Sequence, residues 1–543
     1  MDVSSTLSLL YKEHKQDIMT IYFYAIASGI IQLSLPLGIQ TLIGFVQGVT
    51  MVVSIYILIA VILLGVLIVG LLQINQMKII EKIQQKIFVY FAFDFAEKIP
   101  NLDMFEIDSY YLPEKANRFF DVQNIQKGSS KLLLDLPIAL IQIIIGLFVL
   151  SIYHSIFIFF SILLIGLILI IFWTTSKQGL KTSIEESDNK YKVVAWFEEM
   201  GRVIKSFKYS QGTNLNLQIT DNRLMDYLNA RQRHFRVLQT QYKSFVFFKV
   251  TITALMLTLG VYLMVTQKIN VGQFVAIEII ILVLINSFEK LIVSLESLYD
   301  LITGLKKIHS VLDLGNETSG NIEMKKQELN IQIENLSFGY DQNNTVFKKV
   351  NLNIPSNGIT CVTGPENSGK STLLKLLTGS YNSYSGSILF NGLDVSKYSL
   401  KSLRQNTGIM LNEQDIFCAT LMQNITLGKS SITQDNILNL INEIGLEDFT
   451  SEMTDHFETI LDPLGQKLPS STVKKILLLR ALIHDPILLI LEEPWQGMDN
   501  LTKENIQNYL VKISKSKTVV ISTDDSGFKS RCQNNIELQK SMS

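Results

Sequence analysis

Residues 358–379, GITCVTGPENSGKSTLLKLLTG, decide how the second half of this chain folds. A short apolar run leads into a glycine-bounded loop, GPENSGKS, with the P-loop spacing G-x-x-x-x-G-K-S, and a run of helix formers follows. Glycine lets the backbone approach a phosphate, whose oxygens bind successive N–H groups at the helix N-terminus. Lys370 adds a positive charge, and Ser371 can bind Mg²⁺. The predicted nucleotide-binding residues of this loop are Gly364, Pro365, Glu366, Asn367, Ser368, Gly369, Lys370, Ser371 and Thr372.

The composition bounds the class of protein. A chain of 543 residues is too long for one hydrophobic core, so we expect two or more domains. Its 47% apolar content, together with a positive mean hydropathy, indicates membrane spans in part of the chain. The formal net charge of -1 gives no electrostatic reason to expect a nucleic acid partner. Cys361, Cys418 and Cys532 lack metal-ligand spacing, so we expect buried, unpaired thiols in a reducing compartment and no zinc site.

Long apolar runs occupy the first half of the chain, and each is long enough to cross a hydrocarbon core of roughly 30 Å as a helix. The six candidate spans are 18–46, 51–74, 132–153, 156–174, 244–266 and 271–292. Lys and Arg concentrate in 75–131 and 175–243, which predicts cytoplasmic connections and cytoplasmic termini. Glu278 lies within the last span, where it either contacts cargo or protons or pairs with a polar neighbour.

The polar connections have the composition of helices. Segments 78–98 and 185–214 predict that spanning helices continue into the cytoplasm, with short crossing pieces near 110–121 and 191–208. Beyond residue 330 the pattern changes to short apolar runs alternating with helical segments, which is typical of a soluble α/β domain. The predicted divisions are a short cytoplasmic segment at 1–17, a six-span transmembrane domain at 18–297, a linker at 298–330 and a nucleotide-binding domain at 331–543.

The residues from 331 onward resemble the nucleotide-binding domain of ATP-binding cassette (ABC) transporters, and the six spans ahead of them resemble the exporter architecture of that family. The resemblance is carried by the P-loop, SFGY at 337–340, NITLG at 424–428 and ILLILEEPWQGMD at 487–499. The segment 34–46 is similar to the first span of bacterial type I secretion and peptide exporters. The resemblance implies a six-helix transmembrane exporter domain followed by an α/β P-loop NTPase domain. It also implies ATP and Mg²⁺ as cofactors and a homodimer, or a heterodimer with another ABC half-transporter.

The resemblance assigns roles to residues outside the loop. The site residues it implies are Tyr340 against adenine, Ser371, Asn412 and Glu492 for Mg²⁺, Glu493 as the catalytic base, and Asp499 in the loop after the acidic pair. Two alternatives stay open from the residues alone. Tyr340 is otherwise an ordinary strand-end tyrosine, and Glu493 is otherwise a carboxylate retained in an inactive site.

Several positions depart from the family pattern. The signature, normally Leu-Ser-Gly-Gly-Gln, reads Leu468, Pro469, Ser470, Ser471 and Thr472. Pro469 offers neither a hydroxyl nor an N–H, and side chains stand where glycines allow close approach. Asp524 replaces the His that senses the γ-phosphate, so we expect repulsion of that phosphate, with an added Mg²⁺ ligand or a solvated loop acid as alternatives. Asn412 is one methylene shorter than the usual Gln, and Glu492 is one longer than the usual Asp.

These departures predict that nucleotide binding survives better than turnover. By the resemblance, each nucleotide site of the dimer combines the P-loop face of one chain with the signature of the other. The altered signature and Asp524 lie on one chain, so they fall in different sites, and both sites are affected whatever the partner. We predict an ATP-binding exporter subunit that moves an unidentified substrate, a peptide or protein by the resemblance, out of the cytoplasm with slow or partner-dependent hydrolysis. The alternative is a non-hydrolysing regulatory or structural partner of another subunit. The predicted location is the bacterial cytoplasmic (inner) membrane. Because only residues 1–17 precede the first predicted span, we expect no leader-cleaving protease domain.

Overall fold

A computed structural model of the chain describes residue 8 and residues 11–539, apart from 33, 49–52, 109–111, 155, 211–212, 342–344, 448, 450–455 and 466. The chain divides into two compact units. One comprises Met1–Pro100 and Tyr110–Leu314, and the other comprises Asn101–Ser109 and Gly315–Ser543.

The first unit is helical. Its helices are α1 (Lys15–Gln32), α2 (Ser34–Gln47), α3 (Val53–Lys98), α5 (Leu112–Asn117), α6 (Val122–Tyr153), α7 (Ile156–Arg202), α8 (Ile204–Tyr209), α9 (Leu215–Val265) and α10 (Val271–Leu312), while α4 (Met104–Asp108) falls in the second unit. The prediction that spanning helices continue into the polar segments is confirmed for 78–98, through which α3 runs unbroken. For 185–214 it holds only in part, because α7 ends at Arg202 and the short helix α8 follows from Ile204. Residues 298–312 of the predicted linker form the last turns of α10.

Five helical stretches within the described residues, some of which combine helices given above, are long and apolar enough to cross a membrane. They are Lys15–Gln47, Val53–Asn101, Leu112–Tyr153, Leu215–Val265 and Val271–Leu312. The remaining predicted span, 156–174, lies on α7, which is not among these five. Many apolar side chains on these stretches and on α7 are exposed, and Trp173 of α7 has a relative exposure of 81%. Such surfaces suit contact with lipid tails and would be costly in water.

Small residues let α6 and α10 pack closely. A side chain at Gly146 of α6 would place its Cβ 2.8 Å from Leu284 Cδ2, and one at Gly128 would lie 2.8 Å from the carbonyl oxygen of Ser297. Glycines at such contacts are common where helices pack in membranes, because packing and not hydrophobic burial holds them together.

One predicted crossing piece is displaced. The sequence places it near 110–121, but α5 and the following turn belong to the helical unit, and residues 110 and 111 lie outside the described part of the chain. Asn101–Ser109 belongs to the second unit instead. The physical reason is that Met104 and Phe105 pack against the apolar core of that unit. Most of the predicted segment 1–17 also lies outside the described residues.

The second unit contains two sheets. The strands are β1 (Ile331–Gly339), β2 (Thr345–Ile354), β3 (Gly358–Thr363), β4 (Ser385–Phe390), β5 (Leu393–Asp394), β6 (Thr407–Met410), β7 (Leu488–Glu492), β8 (Thr518–Ser522) and β9 (Asn534–Glu537). One sheet has the order β2-β1-β4-β5 and is antiparallel, and the other has the order β6-β7-β8-β3-β9 and is parallel. Its helices are α11 (Lys370–Leu377), α12 (Leu400–Asn406), α13 (Leu421–Thr426), α14 (Gln434–Ile444), α15 (Ser470–Leu482), α16 (Asn500–Ile513) and α17 (Ser526–Lys529).

The parallel sheet sets the position of the site. Strands β7 and β8 are buried along their whole length, as expected for central strands covered on both faces. Strand β8 pairs with β3 on one side and with β7 on the other, with Glu492 opposite Ser522. Since the carboxyl ends of parallel strands meet at one edge, the loops that follow β3, β7 and β8 converge there.

The cysteine prediction is wrong in two respects. Cys361, on the buried strand β3, forms a disulfide with Cys532, and their Cα atoms lie 6.1 Å apart. Cys418 is unpaired, as predicted, but it is exposed. The two paired cysteines lie 171 positions apart in sequence, so no local spacing pattern indicates that they are close in the fold.

Candidate nucleotide site

The P-loop connects β3 to α11 through two glycines with positive φ. Gly364 has a φ of 152° and Gly369, the N-cap of α11, has a φ of 92°. A Cβ at Gly369 would lie 2.8 Å from Phe347 Cζ, so a side chain is excluded by space as well as by conformation. The hydroxyl of Ser368 is buried, and it has no hydrogen-bond partner within the described residues. A tight loop with an unsatisfied buried hydroxyl and a helix N-terminus fits a bound phosphate group.

The P-loop lysine has two partners in its own chain. Lys370 Nζ donates to the carbonyl oxygen of Gly364 at 2.7 Å and to Asp524 Oδ1 at 3.1 Å. The Lys370 side chain is largely buried, whereas 75% of the Asp524 side chain is exposed. Asp524 is therefore neither distant from the phosphate loop nor a free solvated acid.

The three residues predicted for Mg²⁺ are brought together, but not all by their side chains. Glu492 ends β7 and is buried. Its Oε1 accepts a hydrogen bond from Ser371 Oγ, and its Oε2 accepts one from the backbone N–H of Asn412 at 2.9 Å. The side chain of Asn412 is exposed. Adjacent carboxylate and hydroxyl oxygens are the ligand type that Mg²⁺ prefers, so this pair fits the ion.

Glu493 is fixed by the loop that follows β8. Its backbone has a φ of 43°, and its N–H donates to the carbonyl oxygen of Ser522 at 2.9 Å. Oε1 accepts from the N–H of Asp524 at 2.8 Å, and Oε2 accepts from Thr523 Oγ1 at 3.1 Å. Burial raises the pKa of the Glu493 carboxyl. Lys474 Nζ contacts the Glu493 carbonyl oxygen at 3.4 Å, and burial lowers the pKa of this lysine.

Tyr340 lies beside the P-loop helix within a cluster of aromatic rings. Its hydroxyl is 3.2 Å from Thr372 Oγ1 on α11. The ring stands nearly perpendicular to that of Tyr381, with centroids 5.9 Å apart, and Lys375 Nζ lies 5.9 Å from the Tyr340 centroid. Tyr381 OH donates to Asp108 Oδ2 at 2.6 Å. Sequence reasoning missed Tyr381 and Lys375, because no spacing pattern separates them from ordinary core and surface residues.

The altered signature lies at the N-terminus of α15. Pro469 is the N-cap and gives no side-chain hydrogen bond, although its carbonyl oxygen accepts from the N–H of Thr472 at 3.0 Å. In the described part of the chain, Ser470 and Ser471 form no side-chain hydrogen bond. Leu468 donates its N–H to the carbonyl oxygen of Gly465, as part of the turn before the helix.

Asp499 has a local structural role. It is the N-cap of α16, and its carboxylate accepts from the Thr502 N–H at 2.9 Å and from Thr502 Oγ1 at 2.5 Å. These hydrogen bonds lower the pKa of the Asp499 carboxyl. The structure thus shows a helix cap at the position predicted for the loop after the acidic pair.

The helical unit contains a polar cavity of about 480 Å³. It is lined by Gln32, Lys131, Asp135, Gln142, Val283, Asn286, Glu289, Lys290 and Val293. Two glutamine side chains that line it are held by hydrogen bonds. Gln142 Nε2 donates to Gln32 Oε1 at 2.5 Å, and Gln142 Oε1 accepts from Ser287 Oγ at 2.7 Å. Glu278 does not line this cavity, and its Oε1 is buried without a hydrogen-bond partner within the described residues.

Comparisons with known proteins agree with the fold. A family model described as ABC transporter matches residues 347–496, which include the P-loop and the acidic pair. The chain is 26% identical over 273 residues to the uncharacterized ABC transporter ATP-binding protein YwjA of Bacillus subtilis (strain 168), covering 50% of this chain and 48% of that protein. It is 26% identical over 312 residues to the alpha-hemolysin translocation ATP-binding protein HlyB of Escherichia coli O157:H7, covering 55% and 43%.

Other similarities extend the comparison. The ATP-dependent lipid A-core flippase of Syntrophus aciditrophicus (strain SB) is 28% identical over 223 residues, covering 40% of this chain and 37% of that protein. The chain thus spans about half or less of the length of these curated relatives. The structure of a bacterial Atm1-family ABC exporter with ATP bound has a TM-score of 0.89 to this chain, with 15% identity, over 97% of this chain and 94% of that one.

The chain carries an ABC transporter domain behind a helical transmembrane unit, in one polypeptide. It therefore has the fused half-transporter fold of ABC exporters, and five helical stretches within its described residues are long and apolar enough to cross a membrane. The fold class predicted from the sequence is confirmed. ABC ATPase domains bind ATP, generally with Mg²⁺, and ABC transporters are generally ATPases that couple hydrolysis to transport and typically function as dimers.

Proposed function

We propose that this chain is an ATP-binding exporter subunit that moves a peptide or protein out of the cytoplasm, with slow or partner-dependent hydrolysis. The observation that carries the proposal is the convergence of Lys370, Ser371 and Glu492 at one edge of the parallel sheet. The relative named for alpha-hemolysin translocation supports a protein cargo. The polar cavity between α1, α6 and α10 is the part of the helical unit where we expect cargo to be contacted.

The P-loop residues would hold the nucleotide. The backbone of 364–369 and the first turn of α11 bind phosphate oxygens, while Lys370 supplies positive charge. Tyr340 presents its ring beside α11 as a platform for adenine. Mg²⁺, held by Ser371 and Glu492 with Asn412 alongside, would neutralise phosphate charge when it is bound.

Glu493 is the residue we propose as the general base. Both of its carboxylate oxygens accept hydrogen bonds, from Thr523 and from the Asp524 N–H, so the side chain is oriented before any nucleotide arrives. A carboxylate with a raised pKa is a better proton acceptor than an exposed one. The alternative, a retained carboxylate in an inactive site, remains the second reading of the same geometry.

Slow turnover follows from the residues that close the site. In a shared site the signature of the second chain faces the nucleotide, so Pro469 removes one hydrogen-bond donor there. Asp524 brings a negative charge to Lys370, where the terminal phosphate would carry its own negative charge. The shared site would form in a homodimer or in a heterodimer with another half-transporter. We place the protein in the bacterial inner membrane with both termini cytoplasmic, on the distribution of Lys and Arg.

The second candidate function is an ATP-binding, essentially non-hydrolysing partner of another transporter subunit. It is favoured by Pro469 and by the Lys370–Asp524 ion pair. The two candidates are separated by measuring ATPase activity of the purified full chain in lipid, with Glu493→Gln and Lys370→Ala as controls. The exporter proposal expects wild type to exceed Glu493→Gln by at least about tenfold. Equal rates in wild type and Glu493→Gln, also when co-purified subunits are retained, would reject hydrolysis and favour the second candidate.

A further inference from the structure

The ammonium group of Lys370 is already partly occupied by its own chain. An ammonium group has three N–H donors. One is taken by the Gly364 carbonyl oxygen at 2.7 Å and one by Asp524 Oδ1 at 3.1 Å. A single donor remains for a ligand, unless the Asp524 side chain moves away.

The backbone of Asp524 is held in place, so its carboxylate stays within reach of Lys370. Its N–H donates to Glu493 Oε1 at 2.8 Å, and the neighbouring Thr523 hydroxyl donates to Glu493 Oε2 at 3.1 Å. The next residue, Asp525, is the N-cap of α17 and forms an ion pair with Lys503 at 2.9 Å. With the backbone held in this way, rotation of the Asp524 or the Lys370 side chain separates the pair.

This arrangement treats a diphosphate and a triphosphate differently. In a P-loop the lysine reaches the β- and γ-phosphates, while backbone N–H groups hold the inner phosphates. A diphosphate needs only the donor that Lys370 still has free. A triphosphate must displace the Asp524 carboxylate and then place its γ-phosphate beside that carboxylate and beside Glu493, both of which are negatively charged.

We propose that Asp524 competes with the γ-phosphate for Lys370, so that this site holds a nucleoside diphosphate at least as tightly as a nucleoside triphosphate. The inference rests on the proposed function, since it concerns the same nucleotide site. It makes Asp524 a residue that determines nucleotide specificity and favours the diphosphate-bound state. Because 75% of the Asp524 side chain is exposed, the effect is a moderate one that salt weakens.

The test compares binding of ADP and of the non-hydrolysable triphosphate AMP-PNP, each with Mg²⁺, to the full chain in lipid nanodiscs by calorimetry. For wild type we expect ADP to bind at least as tightly as AMP-PNP. Asp524→Asn should tighten AMP-PNP binding by about threefold to tenfold and leave ADP binding within about twofold. Asp524→Ser provides a second variant that also removes the charge. Asp525→Asn is the matched control: it removes the charge of a neighbouring acid that pairs with Lys503 and keeps a side-chain oxygen to cap α17, so it should change neither affinity.

Salt provides an independent readout. Raising NaCl from about 0.05 M to about 0.5 M should narrow the preference for ADP in wild type more than in Asp524→Asn, since screening weakens a charge-dependent competition. Equal changes of both nucleotides in Asp524→Asn, or no change in either, would overturn the inference while leaving the proposed function intact. Weaker AMP-PNP binding in Asp524→Asn would overturn it too, and would show Asp524 as a Mg²⁺ ligand. Failure of wild type to bind either nucleotide would overturn the proposed function itself.

Discussion

Replacing Phe105 by alanine should detach residues 101–109 from the core of the ATP-binding unit. The Phe105 ring is half-buried, and its centroid lies 6.0 Å from that of Phe338 and 5.7 Å from that of Tyr381, both at steep angles. Two such aromatic pairs contribute about 2 kcal/mol, and burying half of a phenylalanine contributes about 1 kcal/mol. A loss of about 3 kcal/mol raises the population of a locally opened state by about 100-fold.

Hydrogen exchange of the full chain, read by mass spectrometry, measures this opening. The N–H of Asp103 donates to the Gly315 carbonyl oxygen at 3.0 Å, so its exchange requires the segment to detach. We expect protection in 101–109 to fall by about 100-fold in Phe105→Ala, while peptides from α11 stay unchanged. Tyr381→Phe is the matched control, because it removes only the hydroxyl that donates to Asp108, and it should lower protection by about fivefold. Protection within twofold of wild type in Phe105→Ala would refute the assignment of this segment to the second unit.

Three further predictions concern the nucleotide site. Glu492→Ala leaves Ser371 Oγ and the Asn412 N–H without their buried acceptor. It should lower the free energy of unfolding by about 3 kcal/mol, whereas Glu492→Gln should lower it by about 1 kcal/mol. Denaturant unfolding measures both losses, and equal losses would contradict this prediction. Gly369→Ala places a residue with a Cβ at a backbone position with a φ of 92°. The resulting strain should weaken ATP binding, measured by calorimetry, by at least about tenfold. Unchanged affinity would show that the loop tolerates a Cβ. The raised pKa of Glu493 keeps the proposed base protonated to a higher pH. In the pH profile of kcat/KM for ATP hydrolysis, the fall in rate on the acid side should therefore occur at a higher pH than for an exposed glutamate, and it should disappear in Glu493→Gln. A fall at the pH expected for an exposed glutamate would rule Glu493 out as the base.

Much of the fold could be predicted because its signals are local. The P-loop motif, the apolar runs that became β3, β7 and β8, and most of the spanning helices are contiguous stretches whose spacing and hydropathy are set by neighbours in sequence. The crossing piece was misplaced because both 101–109 and 110–121 mix acidic residues with apolar and aromatic ones, and no spacing marks either of them as the crossing piece. The packing of Phe105 against Phe338 and Tyr381 is a long-range contact that local spacing does not carry.

What the sequence determined by itself is the kind of site, since glycines, a lysine and a serine at fixed spacing can form a phosphate loop wherever the chain folds around them. What only the tertiary structure decided is which groups face that loop. Lys370 and Asp524 lie 154 residues apart, and Tyr381 lies 273 residues from Asp108. The first pair meets because the strand order brings the ends of β3, β7 and β8 to one edge of the sheet. The second pair meets because residues 101–109, between α3 and α5, belong to the second unit. Asp524 could be identified from sequence as an altered position, but its ion pair with the P-loop lysine follows from that long-range geometry alone.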